Sequence, residues 1–159
     1  MTAQFSESLI YNGKQLPMCT NPLGLYLAQT GLQFVSPNTA NWRGYRGTWE
    51  VKGNSENEQR LYLIRLAANK SYEEVLSLKD VFPDSPKGVF AHWYSGAVRC
   101  PQGNQIKYVH MGYSSVYEYD FFLEFKRGVL INKYVIHNTL EEPKKHNLNE
   151  IPAFLRPQK

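Results

Sequence analysis

The longest alternation of apolar and polar positions runs from Val89 to Ile136 and predicts most of a sheet. In Tyr117–Lys126, Tyr119, Phe121, Leu123 and Phe125 fall on one side, with Asp120, Glu124 and Lys126 largely on the other. That is the two-residue period of a strand with one buried face. Val89–Tyr94 reads as a strand that Ala97–Cys100 continues past Gly96, and Gln105–Met111 and Val129–Ile136 as two more. Pro101–Asn104 and Lys126–Gly128 supply turns between them. Connections this short dictate antiparallel pairing, since a parallel return needs a crossover of roughly a dozen residues or more.

Ahead of this block the same patterns recur. Leu9–Met18 is a hairpin around Asn12-Gly13, the pair that best tolerates the positive φ of a type I′ turn. Asn21 as N-cap, Pro22 at the first helical position and Gly31 as stop bracket a short helix with Leu23, Tyr26 and Leu27 on one face. Phe34–Ala40 is loop; from Tyr45, alternation places Tyr45, Trp49 and Val51 opposite Arg46, Thr48, Glu50 and Lys52, and Leu61–Leu66 returns as the second strand of a hairpin. Ser71-Tyr-Glu-Glu74 has the form of a capping box, predicting a second helix through Tyr72, Val75 and Leu76 that ends before Phe82-Pro83. The expected fold is therefore α+β: a predominantly antiparallel meander, open or partly closed into a barrel, with two short helices. Residues 1–140 form one domain, and the composition shift after Asn138 marks 141–159 as a peripheral tail.

Composition narrows the partners only slightly. The 159 residues carry a net charge of +4 with no block of like charge, so attraction to polyanions is permitted but not required. No apolar run reaches the roughly 18 residues of a membrane span, and the N-terminus lacks the basic start and apolar centre of a secretory signal, which points to the cytoplasm. There Cys19 and Cys100 are expected as free thiols rather than a disulfide. The aromatic content, 14%, suits strand faces and binding surfaces alike.

Four stretches carry candidate chemistry. Trp42-Arg43-Gly44-Tyr45-Arg46-Gly47 interleaves rings, guanidinium groups and glycines, as a surface for single-stranded nucleic acid would; the plainer reading puts Tyr45 and Trp49 in the core. His92 and His110 each fall within a predicted strand with Glu118 and Asp120 not far along, and if those strands pair the two rings could share a face, as an acid and base or part of a metal site. No H-E-x-x-H or C-x-x-C spacing supports a metal, and neither metal nor cofactor is expected. His137-Asn138-Thr139 is a single H-x-T string where two-histidine phosphoesterases use two; His110 is followed by Met111-Gly112 instead. Met111–Glu118 reads as a functional loop, but Gly112-Tyr-Ser-Ser-Val is not the G-x-S-x-G of a nucleophile elbow. A pocket walled by His110, Tyr113 and Tyr117 survives.

Trp42-Arg43-Gly44-Tyr45 with Thr48-Trp49-Glu50, Trp93-Tyr94-Ser95-Gly96 and Tyr108-Val109-His110-Met111-Gly112-Tyr113 with Ser115, Tyr117 and Glu118 resembles a group of small uncharacterised bacterial proteins. The resemblance covers the chain from the first hairpin to Ile136 and implies a free-standing bacterial domain; it carries over no catalytic or binding residue. Without a complete catalytic signature, binding is favoured over catalysis. The first expectation is a non-catalytic domain of immunity or inhibitor type, recognising a protein partner through a patch of Trp42, Arg43, Tyr94 and Tyr113. The second is a small-ligand or enzyme site around His92, Arg99, His110, Tyr113, Tyr117 and Glu118. The third is single-stranded nucleic acid on Trp42, Arg43, Tyr45 and Arg46.

Overall fold

A computed structural model describes residues 3–55, 58–109, 111–138 and 144–145. Among these residues ten strands and two helices follow one another as β1 (Glu7–Tyr11), β2 (Lys14–Met18), α1 (Leu23–Thr30), β3 (Tyr45–Ser55), β4 (Glu58–Asn69), β5 (Val75–Ser77), α2 (Leu78–Val81), β6 (Val89–Phe90), β7 (Gly96–Lys107), β8 (Val116–Lys126), β9 (Val129–His137) and β10 (Lys144–Lys145). The fold is α+β and mostly antiparallel sheet, with principal strand order β2-β1-β3-β4-β9-β8-β7. β5 and β6 add to the edge of β4, and β10 pairs with the end of β9. Apart from Lys144 and Lys145, the tail expected over 141–159 lies outside the described residues.

The two tightest hairpins use the same turn. Asn12 and Gly13 have φ of 51° and 75°, Arg127 and Gly128 of 50° and 79°, the positive pair that matches the twist of the flanking strands. One pairing departs from the meander: β1 and β3 run parallel, Ser8 opposite Thr48 through Ile10 opposite Glu50. The stretch holding α1 and the loop after it provides the crossover this demands. The alternation of β3 holds, with Tyr45, Trp49 and Val51 buried. In β4 the buried set is Leu61, Leu63, Leu66 and Ala68. Its parity changes because Thr48 faces Arg65 while Trp49 faces Leu63, leaving Ile64 as the extra residue of a bulge.

Phe121, Leu123 and Phe125 of β8 meet Val98 and Cys100 of β7 and Trp49 of β3 in one core, to which α1 adds Leu23 and α2 adds Leu78. Trp93 fastens α1 to the sheet: its indole N–H donates to Pro22 O (2.9 Å) and its ring lies 4.9 Å from that of Tyr26. The sheet does not close. The end strands β2 and β7 meet just beyond Met18, where Cys19 N–H donates to Arg99 O (2.8 Å) and Arg99 N–H to Thr20 Oγ1 (3.0 Å). Each end strand carries a proline, Pro17 or Pro101, at a position that has no N–H to offer a further strand.

Three expectations need correction. The second helix, expected from Tyr72 to just before Phe82-Pro83, forms only at its C-terminal end, as α2 over Leu78–Val81. Ser71 Oγ accepts from the Glu73 and Glu74 N–H groups (3.3 and 3.1 Å), but Val75–Ser77 then pairs with Ala67–Asn69 as β5, and Tyr72 is 79% exposed, with no core to face. The capping box belongs to Ser77 and Asp80, whose Oδ2 accepts from Ser77 N–H (2.8 Å), and it opens α2 instead. Next, the strand predicted over Val89–Tyr94 stops at Phe90, and Ala91–Ser95 turn the chain before β7. Finally, Pro101–Asn104 is not a turn. β7 runs through it, the register slipping from Gln102 opposite Tyr119 to Gln105 opposite Tyr117, because Asn104 N–H is taken by the Glu118 carboxylate (2.7 Å) rather than by a new hairpin. The expected strand Gln105–Met111 is thus the end of β7, which finishes at Lys107.

Candidate functional site

Arg43 is largely withdrawn from solvent. Its side chain is 9% exposed and its Nη2 donates to Glu7 Oε2 at 2.8 Å. Glu7 heads β1 on the same face as Leu9 and Tyr11, so its carboxylate is carried inward, where it also accepts from Gly47 N–H (2.6 Å) and Trp49 Nε1 (3.3 Å). A Cβ on residue 47 would stand 2.8 Å from Glu7 Oε1, so the glycine makes room for the carboxylate to reach the backbone. Burial pushes the Glu7 carboxyl up, against the pull of Arg43 and the two N–H donors. Tyr45 is core, under the Arg43 guanidinium (5.4 Å). Arg46 lies over the Phe5 ring (5.1 Å), and Trp42 remains 47% exposed. The Trp-Arg-Gly-Tyr-Arg-Gly segment is largely structural.

His92 sits in the turn after β6, exposed, with its ring edge-on to Trp93 (5.5 Å); His110 lies outside the described residues. Among the described residues no three His, Cys, Asp or Glu side chains are grouped to hold a metal ion. The His137 ring is stacked on Tyr119 (4.9 Å). Tyr94 is buried, donating its hydroxyl to Ala97 O (2.8 Å), and burial pushes that hydroxyl up to about 12.

The remaining candidates converge. Arg99, on β7, spends its fork on three acceptors: Nε on Asp120 Oδ1 (2.7 Å), Nη1 on Tyr113 O (2.6 Å) and Nη2 on Ser115 O (2.8 Å). Asp120 in turn accepts from Asn138 Nδ2 (2.8 Å), which also bonds Tyr117 O (3.0 Å). This chain pins the loop between β7 and β8. Inside the loop, Ser115 Oγ accepts from Val109 N–H (3.0 Å), and the Tyr113 hydroxyl reaches across the molecule to donate to Asn21 Oδ1 (2.6 Å). The N-cap of α1 is Pro22 rather than the expected Asn21. On the outer side the N-terminal segment is tied in by Gln4 N–H to Gly112 O (3.0 Å).

Beside the seam between the two end strands, these ties shape a half-open cavity of about 440 Å³. The rings of Phe5, Tyr108, Tyr113 and Tyr117 wall it, with Cys19 and Gln102 among its polar or polarisable groups. Among the described residues that line it, none is Asp, Glu, Lys, Arg or His. Burial raises the Cys19 thiol and pushes the Tyr113 hydroxyl up to about 12, so both stay protonated at neutral pH. Gln102 Nε2 is buried with no hydrogen-bond partner. Such a lining can hold a small molecule by ring contact and hydrogen bonds. Its described members include no acid–base pair for covalent chemistry.

Of the predicted site residues, Tyr113 and Tyr117 line the cavity and Arg99 braces its wall from behind; Glu118 is engaged with Asn104. Trp42, Arg43, Tyr45, Arg46, His92 and Tyr94 do not line it. Sequence reasoning missed Glu7, Phe5, Cys19 and Gln102. Only Glu7 left a trace, as a carboxylate in phase with Leu9 and Tyr11. No protein-family model, curated protein or solved structure matches the chain, so the site rests on its own geometry.

Proposed function

We propose that this domain binds a small molecule in the cavity beside the β2–β7 seam and does not transform it. The observation that carries this reading is a recess of about 440 Å³, within the usual size range of ligand pockets, walled by four aromatic rings and held in shape by the Arg99 fork. Recognition of a protein partner has less support, because Arg43 and Tyr94 are buried and no longer belong to one surface with Trp42. Nucleic-acid binding loses Tyr45 to the core and Arg43 to Glu7. No helix among the described residues is long and apolar enough to cross a membrane, and the two free thiols fit a reducing, cytoplasmic setting.

Cys19 provides the test. It lines the cavity and is half-buried, whereas Cys100 is fully buried. In a fragment screen on the full chain, molecules that occupy the cavity should slow alkylation of Cys19 and shift the ring signals of Tyr113 and Tyr117. If no fragment at millimolar concentration does either, the recess is a packing defect and the reading is wrong.

A further inference from the structure

We infer that the ligand of this cavity is an aromatic carboxylate, its ring in the recess and its carboxylate on Arg46 at the rim, an inference that rests on the small-molecule reading above. Arg46 projects from β3 beside the N-terminal segment that forms one wall. Its guanidinium lies 5.1 Å over the Phe5 ring, and its Nη2 donates to Ser6 O at a long 3.4 Å. Phe5 and Ser6 both line the recess, so the positive charge stands directly against the lining. Phe5 is itself 46% exposed, which puts this wall at the mouth rather than at the floor. Two neighbouring arginines are already committed: Arg43 holds Glu7, and Arg99 holds Asp120 and two loop carbonyls. Arg46 is exposed and holds no carboxylate among the described residues; Glu50, on the same face of β3, is paired with Lys52 (3.4 Å).

A guanidinium laid on a ring is held in place and weakly hydrated, and its planar edge fits a carboxylate through two parallel N–H bonds. An anion docked at such a rim keeps its outer side in water, so it gains a counter-charge without shedding its whole hydration shell. The body of the ligand is set by the walls. Phe5, Tyr108, Tyr113 and Tyr117 present rings from three separate segments, and aromatic faces are best covered by other flat groups, stacked or edge-on. The recess, about 440 Å³, has room for a small aromatic body, and it is half-open, so a short arm can leave it for the rim. The favoured class is therefore an aromatic acid whose carboxylate is carried on a short flexible arm.

Phenylpropionate, phenylpropionamide and phenylpropylammonium form a matched set for the full chain, read by titration of the Tyr113 and Tyr117 ring signals and by protection of Cys19 from alkylation. Phenylpropionate is expected to bind about fivefold tighter than the amide, with the ammonium weakest and the preference shrinking as salt is raised. Arg46→Gln should bring acid and amide together. Arg46→Glu should reverse the order so that the ammonium leads, while the amide binds the natural chain and both variants alike. An acid no tighter than the amide in the natural chain, or an order that survives Arg46→Glu, would overturn the carboxylate inference and leave the small-molecule reading standing. Loss of amide binding in both variants would make Arg46 a support of the wall rather than a ligand contact, and would overturn it equally. If none of the three compounds moves the tyrosine signals or protects Cys19, the cavity reading itself falls, and the inference with it.

Discussion

Arg43 and Arg99 are each held by a strand-borne carboxylate, yet the two pairs are built differently. Arg43 donates to Glu7 through Nη2, while its Nε and Nη1 are buried without partners. Arg99 spends all three nitrogens, two of them on loop carbonyls, and its carboxylate is itself backed by Asn138. Glu7–Arg43 is the deeper pair, with side chains 0% and 9% exposed against 12% and 20% for Asp120 and Arg99. A buried pair left partly unsatisfied adds little net stability, because its attraction is offset by lost hydration. A fully engaged fork at intermediate depth fixes a geometry as well. The first pair is thus a constraint on the core, and the second shapes the cavity.

The largest effect should come from breaking the deep pair on one side only. Glu7→Ala leaves a buried guanidinium without its counter-charge and should cost about 3–5 kcal/mol by denaturant unfolding. Replacing both partners, Glu7→Leu with Arg43→Met, should be near neutral or stabilising; a double variant as unstable as the single one would erase the difference between the two pairs. Arg99→Ala removes charge-assisted bonds worth about 1.5–3 kcal/mol each at most. Its diagnostic reading is local: hydrogen exchange at Val109 and Ser114 should accelerate well beyond the change in global stability. Arg99→Lys should not restore protection, since one ammonium cannot span the three acceptors of the fork.

A smaller test concerns the room that Glu7 needs. Gly47→Ala puts a methyl 2.8 Å from Glu7 Oε1 and 3.0 Å from Trp49 Nε1, and should cost roughly 1–3 kcal/mol as overpacking. The smallest effect is on pH dependence. Burial lifts the Glu7 carboxyl above its ordinary 4.5, so the folded chain holds that proton more tightly than the unfolded one. The stability it contributes is complete below pH 4.5 and is lost as pH rises through the raised folded value. Glu7→Gln should flatten this component, seen as urea midpoints compared across roughly pH 4 to 8.

What the chain made legible was whatever two-residue alternation encodes. The faces of β3 and β8, the Asn12-Gly13 and Arg127-Gly128 turns and the stop at Gly31 follow from nearest neighbours. Bulges do not, because Pro101-Gln-Gly-Asn satisfies the composition of a turn, and only Glu118 from the next strand decides that it stays extended. The two serines that begin box-like strings, Ser71 and Ser77, differ in whether β4 still has an unpaired edge at that point, which is a tertiary fact. The cavity was half legible. Tyr113 and Tyr117 stand in a run rich enough to notice, but Phe5, Cys19 and Gln102 come from three distant segments with no shared signature and meet only because β2 and β7 are brought together.

Pro17 and Pro101 bear on how the molecule behaves in company. An unclosed sheet invites a neighbour to continue its ladder, and the first and last strands here each withhold one amide at the place where such growth would start. Crowded copies of this chain therefore make poor templates for one another, and the gap beside the two strands is left open for something too small to polymerise.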